Sequence, residues 1–126
     1  MYKLVFIFLF ISNIGQAQIF RLRAHYEEVE INGEKQQSES KRLIIFDVTN
    51  YKVTLYGFKT EQFDIYEEFE IDDSTFMFPS LDKDGNEFAI ELSFTTEYIY
   101  VTIQTPTENE VGEFDHRQFV CKRIPD

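Results

Sequence analysis

Apolar and polar residues alternate at every second position along most of this chain after residue 18. The stretch from Phe88 to Phe94, with Ile90 and Leu92 between them, shows the alternation without a break. A repeat of two belongs to a β-strand with one buried face, and no segment after residue 18 carries the repeat of an amphipathic helix. The pattern therefore predicts an all-β protein.

Turn residues divide this alternating region into seven or eight short strands within one domain. The expected strands cover residues 19–31, 41–49, 51–58, 61–71, 74–78, 87–94, 98–105 and 114–124. Nearly every link has the length of a hairpin, and parallel neighbours would need longer crossovers, so the strands should be antiparallel. Such a meander closes into a barrel-like fold or packs as a two-sheet sandwich, and the short links favour the barrel.

The first predicted strand contains an irregularity. Phe20 and Leu22 share one face, whereas Val29 and Ile31 would lie on the other face of a regular strand. A change of phase within one strand is typical of a β-bulge. We expect this bulge near Glu27 and Glu28.

Residues 1–17 have the three-part layout of a cleavable signal peptide. Lys3 gives a positive start, residues 4–11 are all apolar, and Gly15 and Ala17 put small residues at the cleavage positions. A membrane anchor needs about 20 apolar residues, more than this run supplies, and a buried strand is the remaining interpretation. We therefore expect a signal peptide at 1–17 and an all-β domain at 18–126. The product would be exported, periplasmic or secreted, and soluble after cleavage.

Charge is distributed unevenly along the domain. The whole chain has a net charge of −11, and loss of the leader with Lys3 makes it −12. Residues 61–116 hold sixteen acids and a single base, Lys83, while residues 18–60 hold seven bases and six acids. A field of this sign repels nucleic acids and anionic membranes and attracts basic proteins or peptides. Solubility alone is an alternative explanation for an acidic exported protein.

Few residues suited to catalysis are present. The domain has His25, His116 and Cys121, and it has no recognisable hydrolase, phosphate-binding or metal-binding motif. His116 and Cys121 are five residues apart on one predicted strand, which places them on opposite faces. We therefore expect no enzyme activity, no cofactor and no metal. Cys121 should be a buried apolar residue, with a free thiol that links two chains as the alternative.

Glu67 falls on the apolar face of the predicted strand 61–71, where an unpaired charge is costly. Three explanations are open. A local bulge turns Glu67 outward, an arginine such as Arg21 or Arg23 pairs with it inside, or it belongs to a functional site.

The segment 82–86 carries the Asp, Gly and Asn residues of a hairpin turn. A calcium loop is the alternative, because oxygen ligands stand at alternate positions. The glycine and glutamate spacing of a helix–loop–helix calcium site is missing, so we favour the turn.

Tyrosines and acids share the outward positions of several predicted strands. Tyrosine offers a large contact area at low entropic cost, although its ordinary preference for strands also explains its presence. The candidate binding face consists of Asp64, Tyr66, Glu68, Glu70, Tyr98 and Tyr100.

The sequence therefore favours a small exported, non-enzymatic binding or structural protein. Its partner would be a basic protein, a basic peptide or a component of the cell envelope. A carrier that holds a small apolar ligand inside a β-barrel is the second hypothesis. A hydrolase with two carboxyl groups about 5–10 Å apart is the third and least favoured.

The leader makes a prediction about mass. We expect the exported protein to lack residues 1–17 and to begin at Gln18, because cleavage follows the small residue Ala17. Intact-mass spectrometry of the protein recovered outside the cytoplasm measures this directly. A mass that still contains Met1 to Ala17 would contradict the prediction.

Overall fold

A computed structural model of the chain describes residues 19–47, 49–106, 112 and 114–125. The predicted leader lies outside the described residues. Ten strands are present: β1 (Ile19–Ile31), β2 (Glu34–Glu39), β3 (Leu43–Asp47), β4 (Lys52–Tyr56), β5 (Glu61–Ile65), β6 (Phe69–Asp72), β7 (Thr75–Leu81), β8 (Glu87–Phe94), β9 (Ile99–Gln104) and β10 (His116–Arg123). In this part of the chain no helix is long and apolar enough to cross a membrane.

The strands form one antiparallel sheet that closes on itself. Neighbouring strands follow the order β10-β9-β8-β7-β5-β4-β3-β1, and β1 then pairs with β10. Eight strands therefore make a barrel, while β2 adds to the far half of β1 and β6 adds to β7. The predicted antiparallel all-β fold is confirmed, and of its two forms the barrel is the one found.

The predicted strands leave residues 32–40 without a strand, yet Glu34–Glu39 form β2. All six of its side chains are exposed, and the strand reads EKQQSE, so it contains no apolar residue whose period could reveal it. It exists because the Asn32-Gly33 turn folds the chain back onto β1. Asn32 and Gly33 both have positive φ angles, of 52° and 83°, as a tight hairpin turn requires.

The bulge in β1 lies two residues earlier than predicted. Ala24 is opposite Cys121 and Tyr26 is opposite Val120, so His25 is the extra residue with no counterpart on β10. The insertion keeps Phe20, Leu22 and Ala24 inside the barrel and then brings Glu27, not Tyr26, to the inner face. A regular strand would keep Tyr26 on the same face as Phe20, but the bulge at His25 turns Tyr26 outward, so the prediction near Glu27 and Glu28 was wrong.

Side chains fill the middle of the barrel. Sixteen of the described apolar residues are buried there, and Phe119, Leu22, Ile44, Leu55 and Ile90 are among the largest that are fully enclosed. Each such side chain stabilises the fold by about 1.5–3 kcal/mol relative to exposure. This follows the general rule that an eight-stranded barrel has an interior just wide enough for side chains to fill.

The predicted strand 61–71 is broken in two. From Ile65 to Phe69 the chain advances four residues, while their partners Ser80 and Met77 are only three apart. One extra residue inverts the faces that follow. Phe69 consequently shares the outer face with Met77, and Glu70 lies opposite the buried Phe76.

The break also explains a second difference. The predicted strand 74–78 ends just before Pro79, but β7 continues through this proline to Leu81. The Pro79 carbonyl accepts a hydrogen bond from the backbone N–H of Tyr66 in the break, so the missing N–H of this proline faces an interrupted ladder. A proline is tolerated here because no regular partner is lost.

Cys121 is fully buried, as predicted, and burial raises the pKa of its thiol to about 12. A thiol of this kind is almost entirely protonated near neutral pH and is poorly nucleophilic. We expect a thiol reagent at about pH 8 to leave the folded protein unmodified and to react with one equivalent after denaturation. Rapid modification of the native protein would contradict this placement.

Candidate binding site

The six residues of the predicted binding face do not lie together. Asp64 and Tyr66 are exposed at the end of β5 and just after it, whereas Tyr98 and Tyr100 are at the start of β9. Strands β7 and β8 separate the two pairs. The tyrosines of β9 are next to β10, whose Lys122 ammonium lies 5.4 Å from the centre of the Tyr98 ring.

The two remaining acids of that face point elsewhere. Both carboxylate oxygens of Glu68 are buried, and Glu70 is half-buried on the side of Phe76. Glu67 is the exposed residue of the break. The placement of Glu68 and Glu70 on the outer face was wrong, and of the three explanations for Glu67 the outward turn is the one found.

Charged side chains meet inside one end of the barrel instead. Glu61 is opposite Leu55 on β4, and Arg117 is opposite Ile103 on β9, so both residues face inward. Strands β7, β8 and β9 separate β5 from β10 on one side, and β4, β3 and β1 separate them on the other. The pair therefore crosses the full width of the barrel.

Two more charges complete a ring of alternating sign. The Arg117 guanidinium donates two hydrogen bonds of 2.8 Å to the two carboxylate oxygens of Glu61, and its Nε lies 3.8 Å from Glu27 Oε2. Arg42, which precedes β3, places its Nε 3.3 Å from Glu27 Oε1 and its Nη1 3.6 Å from Glu61 Oε2. We call Glu27, Arg42, Glu61 and Arg117 the charge ring.

The charge ring is electrically neutral and only partly shielded from water, since its side chains are 15–27% exposed. Hydrogen bonds from Arg117 lower the pKa of the Glu61 carboxyl below its ordinary value near 4.5, against the opposing effect of burial. Burial alone would lower the pKa of Arg117, but the hydrogen bonds and charge of Glu61 and the charge of Glu27 raise it overall. Glu61 and Arg117 are therefore both held in their charged forms.

A cavity of about 560 Å³ opens at this end of the barrel. Its floor is apolar and is formed by Phe63, Phe88 and Ile103, with the Phe63 and Phe88 rings in edge contact at 5.5 Å. Its walls are charged or polar. They comprise Lys59, Thr60, Glu61, Gln62, Asp64, Asp82, Lys83, Asp84, Thr105, Asp115, His116 and Arg117.

The turn 82–86 forms one side of this opening. The Asp82 carboxylate accepts hydrogen bonds of 2.9 Å from the backbone N–H groups of Asp84 and Asn86, and these contacts lower the pKa of Asp82. Gly85 has a φ of 84°, which the turn requires. The predicted hairpin turn is confirmed. Among the described residues, no three His, Cys, Asp or Glu side chains are grouped so as to hold a metal ion.

The sequence contains a signal for two members of the charge ring that the alternation analysis above did not use. Glu61 is two residues from Phe63, and Arg117 is two and four residues from Phe119 and Cys121. On a regular strand each charged residue therefore shares the face of these apolar ones. Charged residues at inward positions of two distant strands were the available signal. Arg21 and Arg23, which were considered as internal partners, are instead on the outer positions of β1, and Arg23 donates to the Lys41 carbonyl at 2.9 Å.

No protein-family model matches the chain, and neither does any curated protein.

The Glu61–Arg117 pair makes a testable contribution to stability. Because the pKa of Glu61 is lower in the folded protein than in the unfolded chain, the pair stabilises the fold above the ordinary carboxyl pKa. That stabilisation is lost as the pH falls through the folded value. We expect Glu61→Gln to lower the free energy of unfolding by about 1.5–3 kcal/mol at neutral pH, and the difference should shrink at an acid pH below the ordinary carboxyl pKa of 4.5.

Denaturant unfolding of both proteins at the two pH values measures this. Asp64→Asn is the matched control, because Asp64 lies three residues further along β5 and has only an exposed contact of 3.9 Å with Lys52. Its effect should stay within about 0.5 kcal/mol. A Glu61→Gln penalty that is no larger than that of the control would contradict the role of the pair.

Proposed function

We propose that this protein is an exported, non-enzymatic binding protein that holds a small amphipathic molecule in the cavity at the mouth of its barrel. The observation that carries the proposal is the form of this cavity, an apolar floor surrounded by charged walls. Its volume of about 560 Å³ lies within the range of small-molecule sites, and barrel mouths are a frequent position for such sites.

The chemistry of the lining supports an amphipathic ligand over a wholly apolar one. The rings of Phe63 and Phe88 offer a surface for an apolar body, while the walls would contact polar groups. A lipid-like molecule along the barrel axis, the earlier alternative, would need space that Phe119, Leu55 and Ile90 occupy. The ligand therefore rests on the core and does not replace it.

The net negative charge of the cavity walls favours a neutral or cationic ligand. Five acids and three fixed bases line the cavity, and Glu61 is neutralised by Arg117. The remainder is four acids against Lys59 and Lys83, so the opening is net acidic. An anionic ligand of the same shape should bind more weakly.

The direction of the pKa shifts of the lining carboxyl groups disfavours hydrolysis by a pair of carboxyl groups. That chemistry needs one carboxylic acid with a raised pKa as the proton donor. Among the lining acids, the pKa values of Glu61 and Asp82 are shifted downward by their hydrogen bonds. Binding without turnover is the function that this arrangement favours.

A substitution at the rim of the cavity tests whether the ligand binds there. Thr60 is exposed and lines the opening, so Thr60→Trp should narrow it without disturbing the core. Two fluorescent dyes serve as probes: neutral N-phenylnaphthylamine and its sulfonated analogue, anilinonaphthalene sulfonate. We expect the neutral dye to bind better to the parent protein, and Thr60→Trp to weaken its binding about tenfold or more, a loss of about 1.4 kcal/mol.

Thr96→Trp is the matched control. Thr96 is also exposed, but it lies in the β8–β9 link at the opposite end of the barrel. Dye titrations that give equal affinities for the two tryptophan variants would contradict the proposed site. So would stronger binding of the sulfonated dye than of the neutral one.

A further inference from the structure

The outer wall where β1 and β10 meet carries tyrosines and cations side by side. Arg23 on β1 is directly opposite Lys122 on β10. One step further along the same wall, Val120 of β10 lies between Tyr26 of β1 and Tyr100 of β9. We call this surface the seam face and define it by Arg23, Tyr26, Lys41, Tyr98, Tyr100 and Lys122.

The cations of the seam face form no ion pair with a described acid, although the exposed Glu39 of β2 lies opposite Tyr26. Within residues 19–47, 49–106 and 114–125, none of Arg23, Lys41 and Lys122 forms an ion pair with a carboxylate. Arg23 donates to the backbone carbonyl of Lys41, and Lys122 lies over the Tyr98 ring. All three cations are exposed. Their charge is therefore available to a partner.

This local charge stands out against the rest of the molecule. The domain without its leader has a net charge of −12, and residues 60–82 contain eight acids and no Lys, Arg or His. An acidic coat alone would account for solubility, but it does not account for three unneutralised cations on one wall. Charge complementarity points to an anionic partner at this surface.

The tyrosines narrow the chemistry of that partner. The side chain of Tyr26 is 56% exposed, and Tyr98 and Tyr100 are half-buried beside it with one face towards the outer wall. Exposed tyrosine rings offer a flat apolar surface with a hydroxyl at the edge. Sugar rings present both flat apolar faces and hydroxyl groups, so they fit such a surface.

From these observations we infer that the seam face binds an acidic polysaccharide, one that carries sulfate or carboxylate groups. The convex wall suits an extended chain that lies across β9, β10 and β1. Duplex nucleic acid is disfavoured, because its phosphates lie on the outside and its flat base faces are stacked inside, so it offers no apolar ring face to the tyrosines. The seam face lies outside the barrel, so this inference does not depend on the mouth cavity.

Dextran sulfate and neutral dextran are the probes, since they share one sugar backbone and differ in charge. We expect the protein to bind dextran sulfate at low salt and not to bind dextran. The double variant Arg23→Gln with Lys122→Gln should bind about tenfold more weakly, because it removes two ion pairs. Isothermal titration or affinity electrophoresis measures the change, and added salt should weaken binding by the parent protein.

The charge control is Lys59→Gln with Lys83→Gln, two exposed lysines at the mouth whose loss changes the net charge equally. The aromatic test is Tyr26→Ser, with Tyr66→Ser as its control, because the two side chains are 56% and 54% exposed on different walls. Tyr26→Ser should weaken dextran sulfate binding severalfold, and Tyr66→Ser should not.

Four results would overturn the inference. Two concern the ligand: no binding of dextran sulfate at low salt, and binding of duplex DNA as tight as that of dextran sulfate. Two concern the variants: an equal loss of affinity in Arg23→Gln with Lys122→Gln and in Lys59→Gln with Lys83→Gln, and no effect of Tyr26→Ser. Circular dichroism of each variant confirms that its fold is intact. The substituted residues are all exposed, so unfolding is not expected.

Discussion

The antiparallel pairing of β1 with β10 is the constraint on which the rest of this structure depends. It joins the two ends of the domain over eight residue pairs, from Leu22 opposite Arg123 to Glu30 opposite His116. Without this ladder the strands would form one open sheet, with exposed edges and no interior. Closure therefore decides which residues are inside, and among the described strands it leaves the short additions β2 and β6 at the edges of the sheet.

Closure also accounts for the charge ring. An eight-stranded barrel has room for side chains across its lumen, so inward residues from opposite strands can touch. Glu61 and Arg117 do so at the mouth, where partial exposure reduces the cost of removing charges from water. The same four charges in the centre of the barrel would carry a larger desolvation penalty. An equal number of acids and bases leaves no charge without a counterpart, which makes a polar layer above an apolar core tolerable.

The sequence was informative wherever a strand kept a regular period. The inward faces of β3, β4, β8 and β9 were readable from alternation alone, and so was the antiparallel meander. Prediction failed where one inserted residue reversed the faces, as at His25 in β1 and at the break before Phe69. A bulge costs little energy and leaves no composition signal, so the sequence gives its approximate place but not its residue.

The tyrosines Tyr98 and Tyr100 show that the charges near a residue in the sequence can differ from the charges near it on the surface. Tyr98 and Tyr100 belong to the acidic stretch 61–116, and Glu97 directly precedes them. In the barrel the neighbour of Tyr98 on β10 is Lys122, the neighbour of Tyr100 is Val120, and β1 lies beyond them. A strand contacts its neighbours across the sheet through whole rows of side chains, whereas its sequence neighbours alternate between the two faces. The electrostatic setting of an outward side chain in a β-barrel is therefore fixed by strand order, and the local sequence around Tyr98 indicates the wrong sign.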